Sequence, residues 1–264
     1  EMNQSDWSNL SDGTLGGVFL ESSRNDEQFW YDESGLRNDW KGNEERFGVN
    51  SQKWVALKVP DKSFVNALKF DYELTDDTTA FFQIQHSIND SVNVKSPEDE
   101  YESAYALTLD PETGAPGRVR AGYIPIDNPY VPQEMIDSNP YKDRIYWDRR
   151  FAEVGDVTTD NTRTTIRSWA GLQGTVFDDA WDWEVSASFG KFKQEQTRYN
   201  ELNTIRVGNA LNAEYADDGT TIQCADEAAR AEGCAPLNIF GIGSISNEAA
   251  DYIRANPTIT TKIE

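Results

Sequence analysis

Ala67-Leu-Lys-Phe-Asp-Tyr-Glu-Leu74 places Leu, Phe, Tyr and Leu at positions 68, 70, 72 and 74, with Lys, Asp and Glu at 69, 71 and 73. A strict period of two is the signature of a β-strand with one apolar and one charged face. After Thr75-Asp-Asp-Thr78, the residues Ala80, Phe82, Ile84, His86 and Ile88 alternate in the same way with Phe81, Gln83, Gln85 and Ser87. The pattern predicts a β-hairpin over 66–90 closed by a tight acidic turn. A second hairpin is predicted over 163–199. Ile166, Ser168, Ala170, Leu172, Gly174 and Val176 oppose Thr165, Arg167, Trp169, Gln173 and Thr175, the chain turns at Asp178-Asp179, and it returns through Trp183, Val185, Ala187 and Phe189.

Outside these hairpins the connections are very long. Residues 1–65, 91–161 and 200–257 hold most of the Pro and show no sustained period. Compact soluble domains seldom carry structureless connections of that length. Short turns at one end and long loops at the other are the asymmetry of an outer-membrane barrel, so the expectation is an all-β chain: an antiparallel transmembrane β-barrel segment with long extracellular loops. Two short helices are expected inside the last loop, over 202–215 and over 246–255, the second with a Ser246 cap and Pro257 beyond it. Phe177, Trp181 and Trp183 flank the acidic turn and are expected at the membrane interface as an aromatic girdle. The soluble alternative is a β-sandwich in which the apolar faces form a core, because period two does not separate lipid from protein interior.

Composition narrows the function. Forty-six Asp and Glu against 24 Lys and Arg give a net charge of -22, which argues against a nucleic-acid partner, since phosphate binding needs a clustered basic surface. No run approaches the roughly 18 apolar residues of a spanning helix, but that test does not reach β-barrels. The single His, His86, and the absence of Cys-x-x-Cys predict no nitrogen or sulfur metal centre, no cofactor and no His-dependent triad. No catalytic residues are expected, because among 46 carboxylates the sequence spacing of any two carries little weight. Asp76-Asp77, Asp178-Asp179 and Asp217-Asp218 lack the ligand ladder of a calcium loop and read as solvated turns.

Cys224 and Cys234 lie in a polar stretch at a spacing suited to a local disulfide, with two free thiols as the alternative. A bridge would close a loop of about ten residues, contribute roughly 2–3 kcal/mol in the chain-entropy model, and imply an oxidising compartment. For a ligand, Arg118, Arg120 and Tyr123 offer forked hydrogen bonds and a stacking ring to an anion or a sugar. Trp30, Tyr31 and Trp40 offer further rings for sugar stacking. The chain opens at Glu1 without an initiator Met or signal peptide and stops inside Thr258-Ile-Thr-Thr-Lys-Ile-Glu264, which predicts a fragment with its targeting segment upstream.

From about residue 161 the sequence resembles the barrel of a TonB-dependent outer-membrane receptor. The residues that carry the resemblance are Cys224-Ala-Asp-Glu-Ala-Ala-Arg-Ala-Glu-Gly-Cys234, then Ala235-Pro-Leu-Asn-Ile-Phe-Gly241 and Gly243-Ser-Ile-Ser-Asn-Glu-Ala-Ala-Asp-Tyr-Ile253, with Gly208-Asn-Ala-Leu-Asn-Ala213 and the strand pair before it. What the resemblance implies is a cell outer-membrane location, a barrel of about 22 strands closed by a plug, lipid around it, and import of a scarce small nutrient using energy relayed by the partner TonB. Siderophore, cobalamin, oligosaccharide and peptide are all compatible, with a carbohydrate favoured by the loop aromatics. The chain departs from the family plan in having no plug and no TonB box. The competing expectations are a secreted all-β carbohydrate-binding module and a secreted hydrolase working through two carboxylates.

Overall fold

The computed structural model describes residues 10–11, 14–19, 29–40, 49–50, 54–110, 112–139, 143–178 and 180–264. Strands dominate, every strand pairing is antiparallel, and the chain divides into two compact units.

One unit, residues 56–94, 158–199 and 257–264, is a single five-stranded sheet. Its strands are Asp61–Thr75, Thr78–Val94, Thr158–Val176, Trp181–Tyr199 and Thr258–Ile263, and they neighbour one another in chain order as an up-and-down meander. The first four have 15, 17, 19 and 19 residues, where strands of globular domains usually have about 3–10. Both hairpins expected from the alternating pattern are present, each extended at the end away from its tight turn.

Register converts the alternation into two faces. Phe70, Phe82, Ala170 and Ala187 form one cross-strand row, Leu68, Ile84, Ser168 and Phe189 the next, and Tyr72, Ala80, Leu172 and Val185 a third. On the other face the rows run Lys69, Gln83, Trp169, Ser188 and Ala67, Gln85, Arg167, Gly190. Within that polar face Phe81 is buried over Gly171, where a Cβ would stand 2.8 Å from the Phe81 ring and 2.4 Å from the Val185 carbonyl. An aromatic ring lying across a strand glycine covers backbone that would otherwise be bare.

The apolar face is uncovered: Phe70 is 57% exposed, Val185 68% and Trp181 70%. Among the described side chains of the sheet only Phe81, Thr159 and Asn161 are buried. The sheet is open, with Asp61–Thr75 and Thr258–Ile263 as its edges, and no closed barrel forms among the described residues.

The second unit corrects the expectation of long loops. The described parts of residues 1–55, 95–157 and 200–256 fold together, with most of their buried apolar side chains in one hydrophobic core. A small sheet joins Gly35–Arg37, Phe29–Asp32, Val18–Phe19, Trp147–Arg150 and Asp99–Tyr101 in that order, so two of the three segments share it. Phe19, Phe29, Ile124, Met135, Ile145, Trp147, Phe151, Leu211, Leu237, Ile239 and Ile253 are almost wholly inside. These residues show no period in the sequence because most of the strands that carry them have only two to four residues.

The helix expected over 202–215 is shorter. Asn203 accepts from the Arg206 amide at 3.1 Å and opens a helix over Thr204–Leu211, after which Ala213–Tyr215 enters a hairpin with Ile222–Cys224. Gly208 lets this helix close on Ala121, whose carbonyl would lie 2.7 Å from a Cβ there. The second expected helix is Asn247–Ile253, capped by Ser246, and it stops because Arg254–Ala255 pairs with Glu201–Leu202. Two further short helices, Gln133–Ser138 and Glu227–Ala231, carry no long apolar period and are invisible to pattern reading.

Candidate functional site

The cysteines are bridged. Cys224 and Cys234 lie with their Cα atoms 6.3 Å apart, Cys224 fully buried, and the closed loop contains the helix Glu227–Ala231. Asp226 accepts from the Ala229 amide at 2.7 Å to start that helix, and Arg230 donates to the carbonyls of Cys224 and Ala225 at 2.6 and 3.0 Å. Opposite, the Asp218 carboxylate takes the amides of Thr220 and Thr221 and the Thr221 hydroxyl, which holds it down at about 2. Asp217-Asp218 is thus a capped turn. Asp179 of the Asp178-Asp179 turn lies outside the described residues.

The six proposed ligand residues do not form one cluster. Trp30 is buried, its indole N–H donates to Asp39 at 2.9 Å, and Trp40 packs against it at 5.7 Å between centroids. Tyr31 stands edge-on to Phe19, and burial, with the Glu134 charge in second place, pushes its hydroxyl up to about 12. All three rings are therefore engaged in packing within the unit.

Arg118 and Arg120 are strand residues. Pro116–Arg120 pairs with Tyr105–Leu109, and the register sets Arg118 opposite Leu107 and Arg120 opposite Tyr105. Tyr105, Leu107, Leu109, Pro116, Arg118 and Arg120 consequently share one face of a two-stranded hairpin. The Arg118 guanidinium lies 4.5 Å from the Tyr105 ring centroid, a cation–π placement that leaves its N–H edge open to an anion.

Tyr123 sits in a different group, 4.7 Å from the Tyr146 ring and 5.0 Å beneath the Arg144 guanidinium, which Asp143 holds through two hydrogen bonds of 3.0 and 2.8 Å. Tyr105, Arg144 and Tyr146 are thus the partners that sequence reading missed. The exposed Tyr105 alternating with Leu107 and Leu109 was the available signal for one of them.

The aromatic residues of the acidic turn lie at the tight-turn end of the sheet. Phe177 and Trp181 are exposed and Trp183 is half-buried at the tight-turn end. Phe177 and Asp178 both take left-handed backbone, φ 58° and 55°, the twist a short hairpin turn requires. At the neighbouring turn, Gly174 is obligatory: a Cβ would come within 2.1 Å of the Asp77 carbonyl, which accepts from the Thr175 amide at 3.0 Å.

Two charged sites serve the cored unit. Arg149 has no exposure; it donates to the carbonyls of Leu15 at 3.1 Å and Gly241 at 2.9 Å and pairs with Glu153 at 2.6 Å. Burial lowers its guanidinium to about 10 despite that partner. Glu100 lies in the strand beside Asp99, which is bridged to Arg150 at 2.8 Å. Its carboxyl is pushed up to about 7 by burial first and then by the charges of Glu98, Asp99 and Glu201. Among the described residues no three His, Cys, Asp or Glu stand together in a way that would hold a metal ion. No protein-family model, no curated protein and no solved structure matches the chain.

Proposed function

We propose that the chain is part of the barrel of a TonB-dependent outer-membrane receptor, which captures and imports a scarce nutrient such as a siderophore, cobalamin, oligosaccharide or peptide. The observation that carries this reading is the sheet itself. Four consecutive strands of 15–19 residues run up and down with one uncovered apolar face and one polar face. A single-layer sheet cannot bury its apolar side against itself, and globular domains solve that with a second layer. Lipid supplies the missing cover. At about 3.4 Å per residue such strands exceed the hydrocarbon thickness, as barrel strands that project into outer loops do.

The opposite face, with Lys69, Gln83, Gln85, Arg167, Trp169 and Ser188, suits an aqueous lumen. Phe177, Trp181 and Trp183 at the tight-turn end suit a headgroup boundary. The cored unit, formed largely from the segments that join the long strands, is the part expected to meet the nutrient, with Tyr123, Arg144 and Tyr146 as contact candidates. A secreted carbohydrate-binding module accounts less well for the sheet, since a sandwich would hide the rows through Phe70, Leu172 and Val185.

Hydroxyl-radical footprinting of the chain in detergent micelles tests the assignment of faces. Leu68, Leu172, Val185 and Phe189 are expected to be shielded while Trp169 and Phe192, on the other face, stay reactive. Equal reactivity of the two faces would sink the reading.

A further inference from the structure

The hairpin of Tyr105–Leu109 and Pro116–Arg120 presents an outer face for which neither the core nor the barrel reading has a use. Leu107 is 75% exposed and Leu109 72%, values unusual for two aliphatic side chains two residues apart on a rigid element. Tyr105 continues their row, and Arg118 and Arg120 stand directly across from Leu107 and Tyr105. The element is well anchored. Its ladder continues at the base through the Ala121 amide donating to the Ala104 carbonyl at 2.8 Å, and its turn is tied by Asp110, which accepts from the amides of Glu112 and Thr113 and from the Thr113 hydroxyl.

Charge indicates what such a face would meet. In a chain with almost two carboxylates per cation, these two arginines make no ion pair with any described residue, and Arg118 is turned onto a tyrosine ring instead. The face therefore offers two guanidinium groups to an external anion beside a strip of aliphatic and aromatic surface. A small soluble ligand needs concave walls around it, and a two-stranded hairpin face has none. An extended layer combining anionic groups with apolar chains needs only a flat strip of this composition, with Arg at headgroup level and Leu and Tyr at the boundary below.

We propose that this face is a contact for an anionic lipid surface. Asp110 and Glu112 at the turn fix the attitude: Asp110 is fully exposed and held ionised by its hydrogen bonds, so the tip stays in water and the hairpin lies along the surface instead of inserting point first. The proposal stands apart from the barrel reading, because the hairpin belongs to the cored unit.

The full chain, kept in solution by an amphipathic polymer that covers its sheet, is footprinted with hydroxyl radicals beside vesicles of phosphatidylcholine alone or with phosphatidylglycerol. Oxidation of Tyr105, Leu107 and Leu109 is expected to fall severalfold with the anionic vesicles only, with exposed Tyr215 of the same unit as the unshielded control. R118Q/R120Q is expected to abolish the shielding and R118K/R120K to retain it largely, the second pair guarding against a folding defect in the first. Equal shielding by both vesicle types, no shielding by either, or shielding by free glycerophosphate without vesicles would each overturn the proposal. Shielding of Leu172 and Val185 in micelles reports on the barrel reading separately, so the two can fail independently.

Discussion

Arg149 shows how one residue can hold a cored unit together. Its guanidinium reaches Leu15, Glu153 and Gly241, one in each of the unit's three segments, and it does so with no exposure to water. Removing one member of a buried ion pair strands the other, so R149M is expected to cost about 3–5 kcal/mol, read as a lowered urea midpoint. Glu100 gives the opposite kind of effect. Its folded pKa is raised from 4.5 to about 7, so the folded form binds its proton more tightly. The stabilisation is complete below pH 4.5, fades as pH rises, and is gone above about 7. E100Q should leave stability unchanged near pH 4 and raise it at pH 8 by about 1 kcal/mol, once partial exposure is allowed for; thermal melts at the two values check this. The cysteine bridge was legible because spacing and polar neighbours both favoured it. The role of Arg149 was not, because within Asp148-Arg-Arg150 it looks like surface charge and only the tertiary fold puts it inside.

At the scale of elements, the long strands were readable because period two persisted over many residues and each turn was marked by paired aspartates. The ends were less readable: Asp61 to Val65 and Asp90 to Val94 continue the ladder where the alternation of apolar and polar types weakens. Short strands such as Val18–Phe19 and Trp147–Arg150 carry too few residues to show a period, so the sequence pattern does not distinguish them from loop. Helix starts were legible from Asn203 and Ser246, while the end of the first was set by pairing of Ala213–Tyr215 with a strand beyond it. The two sheet faces lead to a paired prediction. L172R on the apolar face is expected to cost about 2–4 kcal/mol in micelles, and Q173R one residue away close to nothing. Denaturant titration in detergent checks it, and equal costs would mean that the two faces share one environment.

For the molecule as a whole, the division into a thin sheet unit and a cored unit explains why composition alone was equivocal. The cored unit behaves like ordinary globular protein, with aromatics such as Trp147 and Phe151 inside. The sheet unit leaves aromatics such as Phe70, Phe177 and Trp181 outside, so an average hydropathy blends two kinds of surface. Period two could not separate lipid from protein interior as the cover of the apolar face; the exposure of Phe70, Val185 and Trp181 shows that no described residue covers it, and the lipid reading rests on that. The ligand residues are less legible because sequence groups neighbours such as Arg118, Arg120 and Tyr123, while the fold pairs Arg118 with Tyr105 and Tyr123 with Tyr146. Whether lipid covers the sheet is read most directly from the chain's chromatographic behaviour and circular dichroism in plain buffer and in micelles. Aggregation in buffer, with a cooperative β signal recovered only in detergent, is the predicted result. A soluble monomer that unfolds cooperatively in plain buffer would contradict it.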